Sequence, residues 1–121
     1  MDWIFKGTIF LIVLGCNKNN CPIGTNNNQM IFKKNLDLIA SYENGKKPVL
    51  VEEYRSAINY LSFVSGISSK ADYSSTFGYQ KREDFKNDMA LWKKWYKKNK
   101  CLLTEKYVDS IFKKYNYTYP Q

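Results

Sequence analysis

Apolar residues recur at three- and four-residue spacing in four stretches of this chain, and each stretch is bounded by residues that stop helices. The first covers about 30–42, with Phe32, Leu36 and Ile39 on one stripe and Ile31, Leu38 and Tyr42 beside it. Glu43-Asn44-Gly45 supplies turn chemistry after it, and Pro48 blocks continuation. The second covers about 49–65: Leu50, Tyr54, Ala57, Ile58, Leu61 and Val64 fall at helical spacing, while Glu52, Glu53, Arg55 and Asn59 fall elsewhere. Gly66 stands where a left-handed helix cap is wanted. The third covers about 83–100, with Phe85, Met89, Trp92 and Tyr96 as its inward stripe and Asp88 and Trp95 flanking. The fourth starts after Thr104, a suitable N-cap, and runs to about 115 with Val108, Ile111 and Phe112 inward. The pattern predicts an all-α fold, a small bundle of about four helices over residues 30–121.

Three other segments read differently. Residues 67–80 form a long connection with four serines, Gly78 and the aromatics Tyr73, Phe77 and Tyr79. Connections of that length in small domains are functional or poorly ordered. The tail Tyr115-Asn116-Tyr117-Thr118-Tyr119 alternates, which suits a segment lying extended along the domain. Residues 17–29, with six Asn, Pro22 and Gly24, have the composition of a flexible tether.

The N-terminal pattern is of another kind. Lys6 precedes the apolar run Thr8-Ile9-Phe10-Leu11-Ile12-Val13-Leu14, which ends in Gly15-Cys16. A bilayer core takes about 20 residues of helix, so this run is too short to span one and fits the apolar core of a secretory signal. Val13-Leu14-Gly15-Cys16 resembles the lipobox of bacterial lipoproteins. The resemblance covers the first sixteen residues. It implies a signal peptide over residues 1–15, diacylglycerol on the Cys16 thiol, and cleavage before that cysteine. A lipid-anchored position would follow, at the cell membrane or outer membrane and facing the periplasm or exterior. Residues 16–29 would then be the lipidated cysteine and its tether.

Three cysteines are present, Cys16, Cys21 and Cys101. An odd count in an exported chain asks for an explanation, and acylation of Cys16 supplies one. Cys21 and Cys101 remain as an even pair in an oxidising compartment, and a disulfide is expected; two unpaired thiols are the alternative.

Charge changes the picture less than its size suggests. The net charge is +8 from 19 basic and 11 acidic residues, but only Arg55 and Arg82 are arginine. Lysine rich alongside Asn, Ile and Tyr is what AT-biased coding produces, and an exported chain rarely meets nucleic acid, so no nucleic-acid partner is expected. The segment from Ser65-Gly66-Ile67 to Trp92-Lys93-Lys94-Trp95-Tyr96-Lys97-Lys98-Asn99-Lys100 is similar to small exported bacterial helical proteins without assigned activity. That likeness implies a helical fold alone.

Catalytic chemistry has few footholds. With no histidine, neither a Ser-His-Asp nor a Cys-His arrangement can form, and no imidazole base is present. No metal-ligand spacing, phosphate loop or nucleophile elbow occurs, so neither a metal site nor a cofactor is expected. Asp84 and Asp88, four apart on the third helix, and the adjacent Glu52 and Glu53 are the carboxylates that a glycan hydrolase could use; they read more simply as surface charge. Asn116-Tyr117-Thr118 matches a glycosylation sequon, without bearing on a bacterial lipoprotein. Candidate binding residues are Tyr73, Phe77 and Tyr79 in the long connection and Trp95 at the edge of the third helix's stripe. The chain therefore reads as a non-enzymatic envelope lipoprotein of the binding, accessory or immunity type. It would be held to the membrane through Cys16 and would recognise a protein or an anionic envelope polymer. The alternative is a small carboxylate-dependent hydrolase of envelope glycans.

Overall fold

The computed structural model describes residues 21–73 and 77–120, with Asp72, Tyr73 and Phe77 described by backbone alone. The expected signal segment 1–15, Cys16 and residues 17–20 of the tether lie outside the described residues.

Four helices make an all-α bundle: α1 (Asn26–Glu43), α2 (Val51–Ser65), α3 (Arg82–Asn99) and α4 (Glu105–Lys114), with a 3-10 turn (Lys100–Leu102) between the last two. A two-residue antiparallel pairing, β1 (Asp72–Tyr73) on β2 (Phe77–Gly78), lies within the α2–α3 connection. Both ends of α2 and the start of α4 follow from local chemistry. The Leu50 amide donates to the Glu53 carboxylate at 3.1 Å, the one half of a capping box that a leucine at the N-cap allows. Gly66 ends α2 in the left-handed region at φ +74°, a conformation that costs a residue with a Cβ. Thr104 caps α4, its Oγ1 accepting from the Tyr107 amide at 3.1 Å.

Helix α1 begins at Asn26, four residues before the apolar pattern predicts, so residues 26–29 of the expected tether are helical. The reason is polar. The Thr25 hydroxyl, buried, donates to the Pro22 carbonyl at 3.1 Å and accepts from the Gln29 side chain at 3.2 Å. Buried Asn28 donates to the Leu103 carbonyl at 3.1 Å, and its own carbonyl accepts from the Tyr60 hydroxyl. A segment with almost nothing apolar to bury is fastened by amide hydrogen bonds instead.

Helix α2 is central and packs against each of the other three. Tyr54, Ala57, Ile58, Tyr60, Leu61 and Val64 are buried along it, facing Phe32, Leu36 and Ile39 of α1, Phe85, Met89 and Trp92 of α3, and Val108 of α4. Burying each large apolar side chain contributes roughly 1.5–3 kcal/mol.

Four contacts fix the helix directions. Arg82 donates to the Glu43 carbonyl, placing the start of α3 beside the end of α1. Gln29 donates to the Lys100 carbonyl, placing the end of α3 beside the start of α1. The Cys21–Cys101 bond falls at that same end, and the Tyr107 hydroxyl donates to the Val64 carbonyl there. Helices α2 and α3 therefore point the same way, and residues 66–81 travel back along the bundle. An 18-residue α3 makes that path about 27 Å.

Candidate functional site

The long connection was the first place to expect binding chemistry, and the structure gives its polar groups another task. Asp88 lies between Phe85 and Trp92 on the inward side of α3 and is 2 % exposed, which overturns the expectation of a surface carboxylate. Its Oδ2 accepts from the Tyr79 hydroxyl at 2.6 Å, the Lys70 amide at 2.9 Å and the Ser69 hydroxyl at 3.0 Å. Burying an ion costs several kcal/mol unless hydrogen bonds replace its hydration, and three donors do so here. The Tyr79 ring also packs edge-on against Phe85 at 5.6 Å. Burial, then the hydrogen bond to Asp88, pushes the Tyr79 phenol well above its ordinary 10.0. Tyr79 is thus a fastener of the crossover.

A second carboxylate holds the crossover's other end. Glu43 Oε2 accepts from the Tyr54 hydroxyl at 2.9 Å and the Tyr79 amide at 3.3 Å. Gly78 passes so close that a Cβ there would stand 3.0 Å from that oxygen, and its φ of +119° independently demands glycine. Tyr73 and Phe77 pair through their backbones. Their side chains lie outside the described residues.

Trp95 is half-buried, its ring stacked on Phe32 of α1 at 5.6 Å beside Tyr96, which stacks on the same ring at 5.2 Å. Lys93, Lys94, Lys97 and Lys98 of α3 are exposed, and Leu91, one turn before Trp95, is also exposed.

The carboxylates considered for hydrolysis have divided roles. Asp88 has its Oδ2 taken by three donors, and Glu53 is engaged in the α2 cap. Glu52 and Glu53 line a cleft of about 240 Å³ with Lys34, Leu38, Ser56 and Tyr119. Asp84, half-buried, is on α3 and does not line it.

That cleft is one of two that flank the C-terminal tail. The chain turns at Asn116, at φ +50°, and lays Tyr117 and Tyr119 inward with Asn116, Thr118 and Pro120 exposed. This alternation matches the sequence pattern. The Tyr117 hydroxyl meets Ser56 Oγ at 2.8 Å, and the Tyr119 hydroxyl meets the buried Asn35 amide at 3.2 Å. Their rings pack on Phe112 at 5.1 and 6.5 Å. On the α4 side of the tail a wider cleft of about 590 Å³ presents Asn27, Lys34, Glu105 and Asp109 around Ile31 and Phe112. Aromatic rings between amide, cationic and anionic groups suit a partner with both apolar and hydrogen-bonding surface. Sequence reasoning did not single out these residues. The alternating tyrosines were the available signal, whereas buried Asn28 and Asn35 gave none.

Cys21 and Cys101 are disulfide-bonded, with Cα atoms 4.7 Å apart. Their end of the bundle carries a shallow cleft of about 320 Å³ lined by Cys21, Ile23, Gln29 and Lys100. Ile23 there is fully exposed, and Leu102 is 47 % exposed. Among the described residues no group of three or more Cys, Asp or Glu could hold a metal ion, and no helix is long and apolar enough to cross a membrane. Compared with known proteins, the chain matches no family model, no curated protein and no solved structure.

Proposed function

We propose that the chain is a cell-envelope lipoprotein, acylated on Cys16 after removal of residues 1–15. Its helical domain is a non-enzymatic binding or accessory protein, of the immunity or accessory type, that recognises an envelope protein or anionic envelope polymer. The observation that carries this reading is the cysteine pairing. Cys21 and Cys101 satisfy each other, as suits an oxidising compartment, and Cys16 is left over at the end of Val13-Leu14-Gly15-Cys16. The tail clefts support the binding half of the reading, because they combine aromatic floor and polar rim without drawing on the buried Asp88.

Intact-mass measurement and fractionation of the native protein test the proposal together. The expected species starts at Cys16, carries acyl groups and sediments with membranes, and Cys16→Ser releases it. Protein that retains Met1, carries no acyl group and stays in the cytosol would overturn it. Cross-linking through the tail clefts then identifies the partner; for a protein partner, loss of that cross-link on Glu105→Lys with Asp109→Lys is the expected outcome, and for an anionic polymer loss on Lys34→Glu.

A further inference from the structure

The disulfide does more than link two segments: it fixes which end of the bundle sits nearest Cys16. Four residues separate Cys16 from Cys21, and five extended steps reach at most about 18 Å. Cys21 is bonded to the residue that follows Lys100, at the exit of α3. A lipid on Cys16 therefore holds Cys21 within that distance of the acylated residue, with the exit of α3 bonded to it and the starts of α1 and α4 at the same end of the bundle, a conclusion that rests on the proposed acylation. The opposite end, with the α1–α2 turn and the start of α3, lies a helix length from the disulfide.

The chemistry of the held end matches a membrane surface. Ile23 is fully exposed two residues from one half-cystine, and Leu102 is 47 % exposed immediately after the other. Covalent geometry keeps both apolar side chains at the same end. Between residues 97 and 106 lie Lys97, Lys98, Lys100 and Lys106 against the single carboxylate Glu105, and residues 21–29 carry no charge. Lys97 and Lys98 are exposed, and Lys100 lines the same shallow cleft as Ile23. Exposed apolar residues set among lysines are what an interfacial segment needs. The apolar groups enter the headgroup region, and the cations meet lipid phosphates.

We propose that the disulfide end of the bundle is a membrane-docking face for anionic lipid, with Ile23 and Leu102 entering the headgroup layer and Lys97, Lys98 and Lys100 on the phosphates. Docking is intramolecular once the acyl chains are inserted, so weak surface contacts suffice to orient the domain. The clefts flanking the tail are then held in a fixed orientation relative to the membrane.

The test uses the acylated full chain reconstituted into phosphatidylcholine vesicles with and without phosphatidylglycerol, whose acyl chains carry bromine as a short-range quencher. Single tryptophans are introduced as Ile23→Trp and, at the opposite end, Leu50→Trp, and the native protein supplies the background. In the anionic vesicles Ile23→Trp fluorescence is quenched and Leu50→Trp fluorescence is not. Lys97→Glu with Lys98→Glu lowers the ratio of docked to undocked protein roughly ten-fold or more, and high salt acts in the same direction. Protein that floats with the vesicles while both tryptophans respond alike overturns the docking face and leaves the lipid anchor standing. Protein that carries no acyl group and does not float overturns both.

Discussion

Two irregular segments cross the surface of the bundle, and they are fastened by opposite means. The crossover 66–81 is pinned by carboxylates: Asp88 collects three donors, and Glu43 takes the Tyr54 hydroxyl and the Tyr79 amide. The tail 115–120 is held by neutral phenols meeting single partners, Tyr117 on Ser56 and Tyr119 on Asn35, and by ring contacts with Phe63, Phe112 and Tyr60. A buried anion concentrates the fastening in one residue, because every donor depends on the same oxygen. A row of tyrosines spreads it over several modest contacts. The crossover is therefore expected to fail at one point and the tail by degrees.

The largest effect belongs to Asp88. Replacing it with Ala strands the Lys70 amide and leaves the Ser69 and Tyr79 hydroxyls only each other, 3.1 Å apart, so that one of the two also loses its acceptor; unpaired buried donors each cost about 1–3 kcal/mol. Asp88→Ala is expected to cost about 3 kcal/mol or more in urea unfolding, and amide exchange at Lys70 and Ala71 is expected to lose protection. Asp88→Asn, which keeps an acceptor without the charge, falls between. An Asp88→Ala cost no larger than that of one tail tyrosine would break the comparison.

Alkaline pH comes next in size, because it acts on both segments and on the core between them. Burial raises the phenols of Tyr54, Tyr60 and Tyr79 well above 10.0, and it raises Tyr107 and Tyr117 in the same direction. The unfolded chain then releases these protons from about pH 10 while the folded chain keeps them. Their contribution is complete below pH 10 and is lost as pH rises above it. Each retained proton adds about 1.4 kcal/mol of destabilisation per pH unit. Denaturant midpoints measured from pH 8 to 11 are expected to hold and then fall steeply. Tyr60→Phe flattens the fall, since Tyr60 is fully buried with a single long hydrogen bond to give up.

The tail responds more gently. Tyr117→Phe and Tyr119→Phe each remove one hydroxyl, with its two hydrogen bonds to a single residue, and keep the ring, at about 1 kcal/mol apiece. Both rings touch Phe112, so the double variant is expected to depart from additivity. Thermal unfolding of the two single variants and the double variant measures that coupling.

The same contrast explains what the sequence could disclose. The helices were legible wherever an apolar stripe met a stop signal: Gly66, Thr104 and the spacing of Phe85, Met89 and Trp92 all appear where periodicity puts them. The start of α1 was not, because Thr25 and Asn28 are fixed by hydrogen bonds to residues distant in sequence, and an Asn run has the same composition whether bonded or free. Asp88 stayed hidden for a related reason. Its position beside the inward stripe is visible, but the donors that make burial tolerable come from a connection with no periodicity of its own. Of the candidate binding residues, Tyr79 and Trp95 are largely occupied by packing, and the tail clefts combine residues from α1, α2, α4 and the tail. Such a site exists only after the helix directions are set, and those directions depend on a crossover that local pattern does not encode.

The smallest predicted effect is the most discriminating, because it uses one substitution at two serines and expects opposite signs. Ser69 Oγ serves the crossover, donating to Asp88 and accepting from the Ala71 amide at 2.9 Å. Ser62 Oγ, on α2, is buried with no hydrogen-bond partner. Removing a satisfied hydroxyl leaves its partners short, so Ser69→Ala is expected to cost about 1 kcal/mol. Removing an orphaned one relieves a desolvated group, and alanine is the better helix former, so Ser62→Ala is expected to gain about 0.5 kcal/mol. For a domain of this size that gain is about 2–4 °C in Tm and the Ser69 loss about 4–8 °C, both within reach of calorimetry. Shifts of the same sign would mean that the hydroxyls are not distinguished by their partners, and the carboxylate pin would lose the selectivity on which the contrast between crossover and tail depends.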